Sequence, residues 1–598
     1  MYLLRRIMKK SYFLLGLPVG LFLPTMSLGQ EYEPFLLKGK PWKYDFDNNN
    51  EKNVINKDQV TSANTKGWVV LDQHGNNSVI IEGNAPKTYD AKIDGIYYNL
   101  ITKAEIAEVA TGDEAYSGEL YIPATIEFEG VTYTVQLKPY LFRYSDVTKI
   151  TLSDDMKTIC EHAFDEADHL TEVKLPEHLE FIPDYTFYKC RQLSKVSLPS
   201  DLKEIGESAF EYCISLNSIG KLPDTMTSLG ERVFAGSMIE SIEIPKALTT
   251  IPAFAFTNCE KLGSIVIPDG ITAIGDCAFS GSGLKSVIFQ GDIETMGVYL
   301  FYGCKELTDV KLSEQFKRIE SSMFAECEKL TNISFSEQLE SIGDQAFSNT
   351  GLSEIELPAS LTEIGGYAFN ACSHLKSIRI PEGLTIINSF TFKDCTSLKT
   401  VVLPAVIYEI YSSAFEGCKA LEEINLSENI SYIGEQAFYG CEQLKTDILL
   451  PNIKWIGTCA FYGCENIKTV LIGKDLDIFK DEHGILRDDD PNRGRFAKCK
   501  NLTDFYCYMV PVPKVAGSTF EDSYINYATL HVPASAIEDY RTTYPWSEFG
   551  KIEALTDTGI SNIKAQASDA PYYDLNGQRI DQPKKGINIQ NGKKVIIK

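Results

Sequence analysis

The sequence predicts a mostly β protein built as a solenoid, in which short coils of chain stack along one axis. Phenylalanine recurs at 22- to 24-residue intervals, mostly 23, over fourteen consecutive intervals, and a short apolar strand motif recurs between these residues. A fixed period of this size indicates coils that bury their apolar sides only against one another. The recurring phenylalanines are Phe142, Phe164, Phe187, Phe210, Phe234, Phe256, Phe279, Phe301, Phe324, Phe347, Phe369, Phe392, Phe415, Phe438, Phe461, Phe496 and Phe520.

One repeat shows how a coil is built. After Phe187, the alternating residues of Val196 to Pro199 are typical of a short strand that proline ends. Ile205-Gly206 then predicts a tight corner that excludes a side chain, and Ala209 places a small residue beside Phe210 inside the coil. Successive strands should pair in parallel, about 4.8 Å apart.

The cysteines follow the same period. Of the fifteen, eleven stand three residues after a repeat phenylalanine: Cys190, Cys213, Cys259, Cys304, Cys327, Cys372, Cys395, Cys418, Cys441, Cys464 and Cys499. Where the interval is 22 residues, the position holds Ser145, Ser237, Ser282 or Thr350. The cysteine is thus lost whenever the turn is one residue shorter. We therefore predict that these cysteines are buried, free thiols that fill space inside the coil. Disulfides between adjacent coils are the alternative, because the N-terminal segment predicts export and exported proteins form disulfides.

The repeat, read as Leu-x-x-Ile-x-Ile-Pro-x-x-Leu-x-x-Ile-Gly-x-x-Ala-Phe-x-x-Cys, resembles the BspA-like leucine-rich repeats of bacterial surface proteins. Leu375 to Cys395 matches at most key positions, and the resemblance covers roughly Tyr116 to Ile552. It implies a leucine-rich-repeat solenoid displayed at the cell surface. It also implies adhesion, since family members are associated with host extracellular matrix proteins such as fibronectin and fibrinogen. The resemblance assigns no binding residue.

The N-terminus reads as a signal peptide over residues 1–29. A basic stretch precedes an apolar run from Tyr12 to Leu23, and Ser27-Leu28-Gly29 is a small-residue cleavage site. No later stretch approaches 18 apolar residues, so no membrane-spanning segment is expected in the mature chain. We therefore predict a secreted protein held at the bacterial cell surface and associated with the outer membrane.

Composition shifts divide the rest of the chain. We predict a small β domain over 30–90, an N-terminal cap over 91–135, the solenoid with its C-terminal cap over 136–555, a linker over 556–571 and a β module over 572–598. The 35 residues from Phe461 to Phe496 imply an acidic insertion near 477–495. The last module is similar to sorting modules of the type IX secretion pathway, although Asn588 stands where an aromatic residue is common.

Nothing in the sequence points to catalysis, so we predict a protein that is not an enzyme and has no cofactor. Its net charge of −25 disfavours nucleic acid as a partner. Asp488-Asp489-Asp490 has oxygen ligands suited to calcium but lacks EF-hand spacing, and a solvated acidic loop is the simpler interpretation. One histidine cluster lacks zinc-site spacing, so no metal site is predicted: Cys160, His162, His169 and His178.

The outward strand positions carry a mixed polar stripe, which suits a protein partner. Three hypotheses remain: an adhesin for a host matrix or cell-surface protein, a glycan-binding surface protein, and a scaffold without its own ligand. An exposed aromatic cluster, or one near Trp42 and Trp68, would favour glycan binding. The stripe comprises Glu172 and Lys174, Ser241 and Glu243, Asp309 and Lys311, Glu354 and Glu356, Ser377 and Arg379, and Glu423 and Asn425.

Overall fold

A computed structural model describes residues 67–71, 77–82, 89–476 and 494–555, together with short strands between 572 and 597. The chain divides into two units, Met1–Pro86 and Lys87–Lys598. The predicted signal peptide, most of the acidic insertion, Trp42 and the linker lie outside the described residues, and the proposed domain boundaries stay predictions.

The elements are numbered in chain order. The N-terminal strands are β1 (Gly67–Leu71), β2 (Asn77–Glu82), β3 (Ala91–Ile93), β4 (Ile96–Ile101), β5 (Ile106–Ala110), β6 (Ser117–Ile122), β7 (Thr125–Phe128) and β8 (Val131–Gln136). The first half of the array has β9 (Asp146–Leu152), β10 (Glu172–Lys174), β11 (Phe181–Ile182), β12 (Lys195–Ser197), β13 (Glu204–Ile205), β14 (Ser228–Leu229), β15 (Thr250–Ile251), β16 (Ser264–Ile267), β17 (Ala273–Ile274), β18 (Ser286–Phe289), β19 (Thr295–Met296), β20 (Asp309–Lys311) and β21 (Arg318–Ile319).

The second half has β22 (Ser341–Ile342), β23 (Glu363–Ile364), β24 (Ser377–Arg379), β25 (Ile386–Ile387), β26 (Thr400–Val402), β27 (Glu409–Ile410), β28 (Glu423–Ile424), β29 (Tyr432–Ile433), β30 (Ile448–Leu450), β31 (Trp455–Ile456), β32 (Thr469–Ile472), β33 (Asp504–Cys507), β34 (Thr529–Val532) and β35 (Lys551–Ala554). The C-terminal strands are β36 (Tyr572–Tyr573), β37 (Arg579–Ile580), β38 (Gly586–Gln590) and β39 (Lys593–Ile597). Helix α1 spans Ile537–Thr542, and 3₁₀ turns lie at Gly517–Phe520, Ile525–Tyr527, Ala534–Ala536 and Trp546–Glu548.

The array has two parallel ladders, where the sequence predicted one sheet. The first ladder runs through the Val-x-Leu-Pro motif, as in β16-β18-β20 and β30-β32-β33-β34-β35. The second consists of two-residue strands that end at the isoleucine of the Ile-Gly motif, as in β25-β27-β29-β31. Glycine follows β29 and β31 directly, whereas Asn388 follows β25 and Tyr411 follows β27, so the position that predicted a corner also pairs adjacent coils.

The turn that carries each repeat phenylalanine joins neighbouring coils by backbone hydrogen bonds. Phe187 N–H donates to Ala209 O at 2.9 Å, and Tyr185 and Lys189 donate in the same way to the next coil. Tyr185 and Lys189 both have positive φ, as do most residues two positions before or after a repeat phenylalanine. This pattern of φ angles turns every second N–H of the turn toward the following coil. These donors are thereby satisfied outside any helix or strand.

The phenylalanine rings form one continuous stack in the core. From Phe142 to Phe496, the centroids of successive rings lie 5.1–5.7 Å apart in near-parallel planes. The rings are almost fully buried. Offset-stacked aromatic pairs contribute roughly 0.5–1.5 kcal/mol beyond their burial, so the stack links every coil to the next.

The eleven repeat cysteines are buried and free, as predicted. The structure adds a role that the sequence did not show. Each thiol lies 3.0–3.4 Å from the carbonyl oxygen of the phenylalanine in the preceding coil and donates to it. In the short repeats a hydroxyl group occupies the position and donates within its own coil, as Thr350 Oγ1 does to Phe347 O at 2.9 Å. The position therefore favours a small donor that fills space, although the buried Ala167 occupies it after Phe164.

These thiols should be unreactive in the folded protein. Burial raises the pKa of Cys304 to about 11 and that of Cys259 to about 12, which suppresses the thiolate that reacts with alkylating agents. We expect iodoacetamide at pH 8 to modify the eleven repeat thiols only after denaturation, as measured by peptide mass spectrometry. Alkylation of native Cys395, or a disulfide joining it to Cys418, would contradict this assignment.

Aromatic side chains close the C-terminal end of the array. Trp546 and Tyr540 are buried, and the indole N–H of Trp546 donates to Pro513 O at 2.9 Å. The second ladder ends at β31, where the buried Arg495 Nε donates to Ile456 O at 2.8 Å. In the preceding coils a glycine N–H fills that role, for example Gly457 N to Ile433 O. Arg495 thus caps the ladder.

The regions outside the array are also β structure. The strands β1 and β2 pair antiparallel, and a five-stranded sheet of order β3-β4-β5-β8-β7 precedes the array. At the C-terminus, β36 to β39 form an antiparallel sheet of order β37-β36-β38-β39. No helix in the described part of the chain is both long and apolar enough to cross a bilayer.

Candidate interaction surfaces

The predicted polar stripe lies on the outward side of the first ladder, which we call the strand face. Most of its members are exposed there, but Ser377 is buried, and Glu172, Arg379, Glu423 and Asn425 are half-buried. The prediction of a continuously exposed stripe is therefore wrong around β24 to β28. There, Asn425 folds back on the preceding coil, bonding Leu403 N at 2.7 Å and Leu403 O at 2.8 Å.

Ion pairs between coils neutralise much of the strand face near its N-terminal end. Lys195 Nζ lies 2.8 Å from Glu172 Oε1, and Lys149 Nζ lies 3.7 Å from Glu172 Oε2. The hydrogen bond from Lys195 is the main cause that lowers the pKa of Glu172. Such exposed pairs add little stability, but they leave few charges free for a ligand.

A second surface, which the sequence analysis missed, lies on the turn edge of the first coils. We call it the tyrosine cluster: Tyr140, Arg143, Tyr144, His162 and Tyr185. The positive φ two residues before each phenylalanine brings Tyr140, His162 and Tyr185 into one column. Their ring centroids lie 4.6 Å and 4.8 Å apart. Tyr140 and Tyr144 are 44% and 68% exposed, which makes the cluster accessible to a large partner.

Glu166 holds the cluster together. Its Oε2 accepts hydrogen bonds of 2.7 Å from both Arg143 Nε and the Tyr144 hydroxyl, and Lys189 Nζ lies 3.5 Å from Oε1. Burial raises the pKa of Glu166, but the bonds from Tyr144 and Arg143 outweigh it, so the pKa is lowered overall. Ionised Glu166 therefore orders two of the exposed side chains.

Asp165 fixes the central ring of the column. Its Oδ2 lies 2.8 Å from His162 Nδ1, while its Oδ1 is buried without a hydrogen-bond partner. Burial raises the pKa of Asp165 despite the contact with His162. A buried carboxylate that is only half satisfied is costly, which is typical of a residue kept for positioning rather than for stability.

The cluster is the kind of exposed aromatic group that the glycan hypothesis requires, but its geometry does not suit a sugar ring. The faces of Tyr140, His162 and Tyr185 pack on one another, and Arg143 lies over both Tyr140 and Tyr144. The column thus offers ring edges and polar groups to solvent. Tyrosine and arginine with ordered side chains are typical of protein–protein hot spots.

The histidines of the first coils each lie beside a carboxylate and do not converge on one point. His178 Nδ1 lies 2.8 Å from Asp201, His162 pairs with Asp165, and His169 lies 3.7 Å from Asp146. Burial raises the pKa of Cys160 to about 12, which disfavours the thiolate that zinc requires. Within the described residues, no three metal-ligating side chains converge. Asp488–Asp490 lies outside them.

The stacked coils, the two parallel ladders and the extended surfaces define a leucine-rich-repeat solenoid. A family model for BspA type leucine-rich repeat regions matches residues 135–263, 249–376 and 362–483. These matches run through more than half of the chain, so the protein belongs to the BspA-type leucine-rich repeat family. Members of this family are typically surface proteins that interact with other proteins, and the fold is typically non-enzymatic.

The chain is also similar to solved bacterial proteins. It is 25% identical to a leucine-rich repeat protein from Bacteroides ovatus ATCC 8483, covering 74% of this chain and 100% of that one, with a TM-score of 0.48. It is 24% identical to a leucine rich cell surface protein from Faecalibacterium prausnitzii A2-165, covering 57% and 95%, with a TM-score of 0.40. A search of curated protein sequences returned no match. The family assignment rests on the repeat model alone.

Proposed function

We propose that this protein is exported, displayed at the bacterial surface and bound there to a protein partner through its solenoid, as an adhesin for host matrix or cell-surface proteins. The observation that carries the proposal is the tyrosine cluster, in which exposed tyrosine and arginine side chains are held in place by Glu166. Ordered side chains lose little entropy on binding, which favours affinity for a protein. The basic and apolar N-terminal segment and the C-terminal β module support export and surface sorting.

The partner class is tested with the full-length protein on immobilised fibronectin and fibrinogen, with matched glycans alongside. We expect saturable binding to protein. Binding to glycans alone would replace the adhesin proposal with a glycan-binding one. The absence of binding to either class would favour a scaffold role.

The double substitution Arg143→Ala/Tyr144→Ala should weaken binding by about 30-fold or more, because loss of hot-spot residues costs roughly 2 kcal/mol or more. Surface plasmon resonance measures the change. Tyr439→Ala is the matched control, since Tyr439 is also an exposed turn-edge tyrosine, stacked on Tyr462 at 4.8 Å. Equal loss in both variants, with circular dichroism unchanged, would contradict the assignment of the tyrosine cluster.

A further inference from the structure

A cleft opens in the strand face at one of the interruptions of the first ladder, between β20 and β24. Strand pairing stops at β20 and resumes at β24, and only a single bridge joins Lys311 to Ser334 between them. The cleft has a volume of about 480 Å³ and is lined by parts of three coils, 332–337, 354–359 and 377–382. The half-buried Ile333, Phe335 and Leu357 are its apolar lining.

Unpaired acidic side chains are concentrated around this cleft. Glu337, Glu354, Glu356 and Glu382 line it, and all four are exposed. Within the described residues, none of them has an ion-pair partner or a side-chain hydrogen bond. Acidic residues on other coils are commonly paired across one repeat, as when Lys445 Nζ lies 2.9 Å from Glu422 Oε2. The cleft therefore presents four carboxylates outside any ion pair of the described chain, of which Glu382 alone has a Coulombic interaction with an arginine, Arg379.

One basic side chain, Arg379 at the end of β24, also lines the cleft. Its Nε is buried and has no hydrogen-bond partner. Burial lowers the pKa of the half-buried Arg379, and the Coulombic attraction of Glu382 opposes this shift only in part. Because Nε is closed to solvent, a ligand carbonyl would be bound by the terminal nitrogens of the Arg379 guanidinium.

We propose that this cleft binds an extended, lysine- or arginine-bearing segment of a partner protein. The four glutamates bind its cationic side chains, the terminal guanidinium nitrogens of Arg379 donate to a main-chain carbonyl, and the apolar residues contact the aliphatic side-chain stems. This inference rests on the proposed protein-binding function and specifies the chemistry of one partner segment. It concerns a surface separate from the tyrosine cluster.

The probe is a fluorescent, end-blocked peptide, Lys-Gly-Lys-Gly-Lys, titrated with the full-length protein and followed by fluorescence anisotropy. We expect Glu354→Gln/Glu356→Gln to weaken binding at least tenfold. Glu240→Gln/Glu243→Gln is the matched control, because it removes the same charge from exposed positions on the same face outside the cleft. We expect that control to change affinity less than twofold. A Glu-Gly-Glu-Gly-Glu peptide should not bind.

Two further variants test the cleft independently of the Glu354 and Glu356 pair. Arg379→Met should weaken binding of the peptide about fivefold, whereas binding of spermidine, which has no carbonyl group, should not weaken, because the substitution also removes a positive charge from the cleft. Glu337→Gln provides a single substitution if the double variant does not fold. Equal weakening by both glutamine pairs, or absence of peptide binding, would overturn this inference. The proposed function would then still stand if Arg143→Ala/Tyr144→Ala abolishes binding to an immobilised protein.

Discussion

Replacing Phe279 with alanine should destabilise the folded array by about 3–5 kcal/mol, the usual cost of removing a fully buried phenylalanine. Phe279 is completely buried, and its ring lies 5.3 Å from that of Phe256 and 5.5 Å from that of Phe301. Alanine would leave a cavity and remove two ring contacts at once. Because each coil contacts only its neighbours, the loss should concentrate near residues 256–301. Urea denaturation and hydrogen exchange measure the global and local effects.

Tyr212→Ala provides the comparison for Phe279→Ala. Tyr212 also belongs to a repeat turn, but its side chain is 43% exposed, so its removal should change stability by less than about 1 kcal/mol. If the two variants unfolded at the same urea concentration, the phenylalanine stack would not be the main support of the array.

Substitution of Gly275 by alanine should cost about 3 kcal/mol, the upper end of the usual cost of overpacking, although only one methyl group is added. Gly275 N–H donates to Ile251 O at 2.8 Å, which holds the two coils in close contact. A Cβ on Gly275 would lie 2.6 Å from Ala253 Cα, 2.9 Å from Pro252 C, and closer still to Ala253 N. These neighbours are backbone atoms, so the coils must separate and the second ladder must break locally. A fall in the thermal midpoint, followed by circular dichroism, measures the effect.

Gly263 is the control for Gly275, because it belongs to the same coil and a Cβ there would meet no atom within 4 Å. Gly263→Ala should therefore be nearly neutral. Comparable destabilisation in both variants would mean that backbone flexibility, and not the approach of adjacent coils, explains the glycine requirement.

The residues that pack the coils and the residues that could bind a ligand occupy different positions of the repeat. Phenylalanine, cysteine and glycine at their repeated positions serve the packing of one coil on the next, so they recur whatever the protein binds. The outward positions carry no such constraint, and the structure places Arg143 and Tyr144 in one accessible group and Glu354 and Glu356 in another. We therefore propose that ligand recognition belongs to residues that depart from the repeat.

The sequence predicted the interior of the array well. The spacing of Phe279 and Phe301 placed both in the core, and the exchange of Cys for Thr350 in a short turn indicated a confined site. It predicted the strand face less well, because Ser377 and Glu354 look equivalent in the repeat although one is buried and the other exposed. Strand alternation distinguishes inward from outward residues, but it does not show how neighbouring side chains cover one another.

By itself, the sequence determined the period, the parallel stacking and the identity of the buried residues, because burial against an identical neighbour imposes the same requirement on every coil. Only the tertiary structure decided that Ile-Gly forms a second ladder, that the thiols donate to phenylalanine carbonyls, and that Tyr140, His162 and Tyr185 form a column. It also decided where the strand face opens into an acidic cleft. These features depend on contacts between side chains one repeat apart whose identities follow no period, so they appear only when the coils are stacked.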